Sequence, residues 1–132
     1  MNLGSRLEGL NKVYGTDIIV GEHTARMVEQ TFRLRELDRV WVVGRAQAVH
    51  IYELVGRAGV PLAAEHDRAL WAYAEALEAY RKGRWAEALA RFREALTLRP
   101  QDGPARALAQ RCLAYEGAPP EPWDGVFDQR VK

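Results

Sequence analysis

Asn2 and Arg6 are the residues near the start of this chain whose types and spacing could do chemistry. They stand four apart, so on a helix they share one face. An amide both donates and accepts hydrogen bonds, and a guanidinium forks onto phosphate or carboxylate oxygens. Presented together, they could orient a polar ligand and neutralise negative charge developing on it. The element that must carry them is a helix whose apolar stripe runs through Leu3, Leu7, Leu10 and Tyr14 beside the pair. Glu8 and Lys12 form an outward pair in the favourable order, and Gly15 is placed to end the helix. A plainer reading stands next to this one, with Asn2 as an N-cap and Arg6 as a solvated surface charge.

The string Asn2-Leu-Gly-Ser-Arg6-Leu-Glu-Gly-Leu-Asn-Lys-Val-Tyr14-Gly-Thr16 resembles the transition-state helix of class III adenylate and guanylate cyclases. In that family the Asn orients the nucleotide ribose and the Arg neutralises charge on the α-phosphate. The resemblance assigns these catalytic roles to Asn2 and Arg6. It continues through Thr16-Asp-Ile-Ile-Val-Gly-Glu-His-Thr24, through Arg35-Glu-Leu-Asp-Arg-Val40 and through the closing-strand motif Val49-His-Ile-Tyr-Glu53. The family hairpin usually reads Val-Lys-Gly-Lys, its first Lys approaching the terminal phosphates. Here the string is Val42-Val43-Gly44-Arg45, so Val43 replaces that Lys. Arg45 keeps a cation at the second basic position and is the candidate substrate-binding residue, out of strand phase with the lost Lys; whether it replaces that Lys stays open.

The resemblance also implies what residues 1–57 do not supply. Family members use two metal ions, Mg or Mn, held by Asp residues on strands upstream of the Asn–Arg helix, and the base reader lies upstream too. Met1 stands where the family commonly has Val, which suggests an internal start in a truncated or misassigned reading frame. The expectation is therefore the last third of a cyclase domain. In the intact enzyme ATP would become cyclic AMP and pyrophosphate. This chain alone would hold no metal and turn over negligibly, unless a homodimer or another cyclase chain completed the site. The alternative is a non-catalytic module that docks a protein partner through the helices described next.

Read without the family, Asp17–Val20 is a short apolar run with strand character, and Gly21 to Thr24 opens a helix whose apolar face is Ala25, Met27 and Val28. From Phe32 the period changes to two, giving a strand or bent pair of strands through Val42, a turn at 44–47 and a returning strand over 48–54. Gly56 to Ala63, with two Gly and a Pro, reads as a linker. Beyond it the pattern is helical. Leu70, Tyr73, Ala74, Leu77 and Tyr80 share one face, and Trp85, Ala88, Leu89, Phe92, Ala95 and Leu96 share another. The second helix, from Gly83 to Pro100, resembles the second half of a tetratricopeptide repeat, with Ala76 at the small position of the first helix. Asp102-Gly-Pro104 starts a third helix with Ala105, Leu108, Ala109, Cys112 and Leu113 on its face, stopping at Gly117. The tail is Pro-rich and carries an aromatic anchor, Trp123. Its Pro-Pro…Trp-Asp-Gly-Val pattern resembles the ending of bacterial cyclases with an extracellular CHASE-type sensor.

The expected fold class is thus α+β: a truncated ferredoxin-like cyclase segment (helix, strand, helix, β-hairpin; 1–57), a linker (58–65), a tetratricopeptide-like helical hairpin with a capping helix (66–117) and a tail (118–132). Composition agrees with a folded chain. Of 132 residues 48% are hydrophobic, and 19 basic residues against 18 acidic give a net charge of +1. No clustered basic excess points to nucleic acid. The apolar runs are too short to span a bilayer, and with the lone Cys112 this places the chain in a reducing, cytoplasmic setting. His23, His50 and His66 lack metal-ligand spacing, Ser5 has no relay partner near it in sequence, and Gly56–Gly59 lacks the Lys of a phosphate loop.

Overall fold

A computed structural model of the chain describes residues 9–42, 44 and 46–128. The described chain divides into two compact units. Leu62–Gly125 is one, and the described residues before and after it form the other. The class is α+β, with a four-stranded sheet and five helices among the described residues.

In the sheet unit, helix α1 (Leu10–Tyr14) buries Leu10 and Tyr14 completely, the two described members of the predicted stripe. It stops where predicted. Gly15 adopts φ 65°, a left-handed conformation open to glycine at little cost, and its N–H bonds to Asn11 O. Strand β1 (Ile19–Gly21) leads into α2 (Glu22–Val28), and then β2 (Phe32–Trp41) and β3 (Val49–Arg57) form the antiparallel hairpin that the period-two pattern predicts. The spatial order is β1-β3-β2-β4, with β1 antiparallel to β3 and β4 (Phe127–Asp128) parallel to β2.

Two bulges set the faces of this sheet. Arg35 opposes Glu53 and Glu36 opposes Tyr52, but the next pair is Asp38 with Ile51, so Leu37 is the extra residue on β2. Leu54 pairs Leu34 and Gly56 pairs Arg33, which leaves Val55 extra on β3. A bulge shifts the inward phase by one residue. Arg35, Leu37, Asp38, Val40 and Val42 are therefore all buried on one face, with Ile51 and Ile19. Simple alternation placed Phe32 and Leu34 with the core; they lie on the other face with Glu36 and Tyr52 and are half-buried. Strand β3 also runs three residues beyond the predicted end, so Gly56 and Arg57 belong to it. In α2 only Ala25 is buried, and Met27 is 71% exposed rather than core.

The helical unit contains α3 (Ala64–Arg81), α4 (Trp85–Leu98) and α5 (Gly103–Gly117). Its inner faces are lined by alanines: Ala69, Ala72, Ala76 and Ala79 on α3, with Ala88 and Ala95 on α4. Small side chains let the axes approach while Tyr73 and Phe92 fill the space between them edge to face, centroids 5.3 Å apart. The predicted face of α3 is rotated. Ala74 is exposed and Leu70 half-buried, because the buried stripe follows Ala69, Ala72/Tyr73, Ala76/Leu77 and Ala79/Tyr80. On α5 the burial of Ala105, Leu108, Ala109 and Cys112 agrees with the sequence, whereas Leu113 is 50% exposed. Asp102 caps α5, its Oδ1 accepting from the Ala105 N–H at 3.3 Å.

Candidate functional site

Asn2, Arg6, Val43 and Arg45 lie outside the described residues. What the structure gives is the pair of elements that would support them. The first is α1, the continuation of the Asn2–Arg6 segment. The Tyr14 hydroxyl donates to Asp38 Oδ2 at 2.6 Å, both residues are fully buried, and Asp38 Oδ1 also accepts from the Arg39 N–H at 2.8 Å. A charged acceptor strengthens such a bond, and its burial makes the geometry costly to abandon. The second support is β2 itself, which continues through buried Val42 into the turn around Gly44, at φ 83°. The strand that holds α1 is therefore also the one that precedes Gly44, the sequence neighbour of Arg45.

Beside this contact, Arg35 and Glu53 pair directly across β2 and β3. Arg35 Nε and one terminal nitrogen lie 2.9 and 2.5 Å from Glu53 Oε1, with side-chain exposures of 6% and 19%. The pair favours this register as well as balancing charge, because a slip of one strand by one residue would put the two side chains on opposite faces. The sequence pointed to these motifs only through the family resemblance. The bulge that lets Arg35 and Asp38 share a face has no period-two signature.

A depression of about 560 Å³ lies between α2 and the other face of the hairpin, with Ala25, Phe32, Leu34 and Tyr52 among its lining. Four of its charged groups have partners: Arg26 with Glu22 at 3.4 Å, Arg33 with the Val60 carbonyl at 3.4 Å, and Glu36 with His50 Nδ1 at 2.5 Å. His66 contacts Arg99 in the helical unit, so neither His50 nor His66 is set up as a ligand. Cys112 is fully buried, and burial pushes its thiol up to about 12, which suits a core residue and not a nucleophile. No group of three metal-ligating side chains forms among the described residues.

Three proteins named adenylate cyclase are similar to this chain. The terminal-differentiation specific adenylate cyclase of Dictyostelium discoideum is 29% identical over 116 residues, 86% of this chain and 6% of that protein. Adenylate cyclase 1 of Rhizobium meliloti (strain 1021) is 38% identical over 56 residues, 42% of this chain and 8% of its own length. The adenylate cyclase of Anabaena cylindrica is 40% identical over 57 residues, 41% of this chain and 11% of that protein. The chain carries an adenylate cyclase-related region. It spans at most about a tenth of the length of these relatives. The Dictyostelium similarity is long enough that, wherever it starts, it must run from the sheet unit into the helical unit. No family model matches the chain, and no solved structure does.

Proposed function

We propose that this chain supplies the Asn–Arg helix and the closing hairpin of a class III nucleotide cyclase site, which converts ATP to cyclic AMP and pyrophosphate. The observation that supports this most directly is the buried Tyr14–Asp38 hydrogen bond. It ties Tyr14, at the end of the short helix that follows Asn2 and Arg6 in sequence, to β2, the strand that precedes Arg45 in sequence. In this reading Asn2 orients the ribose, Arg6 neutralises charge developing on the α-phosphate, and Arg45 is a candidate contact to the outer phosphates. The two Mg or Mn ions of such chemistry need hard carboxylate ligands. The described residues bring no such set together, so no step is assigned to metal here. Those ligands would lie on cyclase strands outside the described residues, and we place the site in the cytoplasm. We read the helical unit as a tetratricopeptide-like hairpin with a capping helix, in keeping with a bacterial sensor-type cyclase.

The test is cyclic AMP production from Mn-ATP by the purified chain, alone and mixed with a cyclase homologue disabled at its own Asn–Arg pair. The expected result is turnover only in the mixture, lost with Arg6→Ala. A folded chain that never restores turnover would remove the catalytic reading and leave the interaction-module reading, for which the aromatic pocket described next speaks.

A further inference from the structure

The helical unit holds an aromatic cluster at one end of its alanine-lined core, sharing buried Tyr80 with it. Tyr80 at the end of α3, Trp85 at the start of α4 and Tyr115 on α5 surround the indole of Trp123, with centroid distances of 5.2, 5.1 and 5.7 Å. The Trp123 Nε1–H is shared between the carbonyls of Tyr80 at 3.1 Å and Arg81 at 3.0 Å. These carbonyls belong to the last turn of α3, where that of Tyr80 also accepts from the Gly83 N–H at 3.0 Å. The approach is close. A Cβ on Gly83, which has φ 76°, would meet Trp123 Cδ1 at 3.4 Å, and one on Gly125 would meet the Arg81 carbonyl at 3.5 Å.

How the tail reaches this pocket is the telling feature. Between Gly117 and Trp123, Ala118, Pro119, Glu121 and Pro122 are all exposed and Pro120 is half-buried. After this largely solvent-facing, proline-rich strap the first side chain to dock on the helical unit is Trp123, with buried Gly125 two residues on. That is how extended peptides use an anchor residue: prolines lower the entropy cost of ordering, and a single indole in an aromatic pocket supplies most of the affinity.

We propose that Tyr80, Trp85 and Tyr115 form a docking pocket for a Pro-rich segment bearing Trp-Asp-Gly, filled here by the chain's own Trp123 and able to accept the same segment from a second copy. The proposal does not rest on the nucleotide chemistry. A short tether holds Trp123 at an effective concentration in the millimolar range, so the tail competes with any copy arriving from solution. The pocket is thereby a gated interaction site whose natural ligand is already attached.

The experiment compares the full chain with its Trp123→Ala variant. The probe is a fluorescein-labelled peptide reproducing residues 118–126, followed by anisotropy, with a control peptide carrying Ala in place of the Trp. The vacated chain should bind the peptide, the unaltered chain about tenfold or more weakly, and neither should bind the control. Three results would overturn the idea. One is a Trp123→Ala chain with unchanged helical circular dichroism that ignores the peptide up to millimolar concentration. Another is equal binding by both chains. The third is loss of the cooperative helical transition in Trp123→Ala, because the indole would then be core and not ligand. Cyclic AMP output of the complementation mixture is a separate readout, so either idea can fail without the other.

Discussion

The buried polar groups of the sheet unit, Tyr14, Arg35 and Asp38, are held by specific hydrogen bonds. Tyr14→Phe removes the hydroxyl donor to Asp38 Oδ2 and leaves a carboxylate in a fully buried site one donor short. Leaving a buried acceptor unsatisfied costs about 1–3 kcal/mol. Urea denaturation followed on β2–β3 amides should show a loss of that size, and the complementation assay a parallel fall, since α1 loses its tie to β2. Cys112 gives a pH prediction with a definite sign. The unfolded thiol titrates near 9.0 and the folded one near 12. Below about pH 9 both states keep the proton and the thiol contributes no pH dependence. Between about pH 9 and 12 the unfolded chain releases its proton while the folded chain holds it, so stability falls as pH rises. Iodoacetamide at pH 8 should leave Cys112 unmodified in the native chain and label it only after denaturation.

At the scale of elements, the Arg35–Glu53 pair tests what holds the hairpin in register. Glu53→Gln alone removes the negative charge facing a guanidinium that is 6% exposed, at an expected cost of about 2–3 kcal/mol, near the range for hydrogen bonds to charged groups. Replacing both residues by Leu should recover much of that loss, because neither buried charge of the pair remains. A double-mutant cycle in urea measures the difference. The same strand shows why some of the fold was legible in the sequence and some was not. The hairpin and the three long helices announce themselves through periods of two and 3.6 residues. Leu37 and Asp38, consecutive yet both buried, do not, because a bulge breaks the period that pattern reading relies on. The helix faces were mis-phased at Ala74 and Leu113 because alanines rather than large side chains line the helix contacts, and an alanine carries little signal of direction. Strand β4 has two residues, too few to show any period. The site residues Asn2, Arg6 and Arg45 were visible only through a family resemblance, since four-residue spacing on one helix is equally the mark of a cap and a surface charge.

For the molecule as a whole, the two units differ in how well each satisfies itself. The helical unit is built from helices of 18, 14 and 15 residues around Tyr73, Tyr80, Phe92, Leu108 and Cys112, all fully buried. The sheet unit has helices of five and seven residues and edge strands of three and two. Ile18, beside β1, is 50% exposed, and so short an edge strand buries little of the apolar surface around it. Segments with few buried contacts open at lower free energy. In native-state hydrogen exchange, the amides of β1 and α2 should therefore exchange through smaller openings than those of α3 and α4. If the sheet unit is one part of a composite cyclase site, adding the disabled homologue should slow exchange in β1, β2 and β3 and leave α3 and α4 unchanged. Binding only the folded form stabilises by mass action, so protection should grow with homologue concentration up to saturation. Protection confined to α3 and α4 instead would place the contact on the helical unit and favour the docking module over the shared active site.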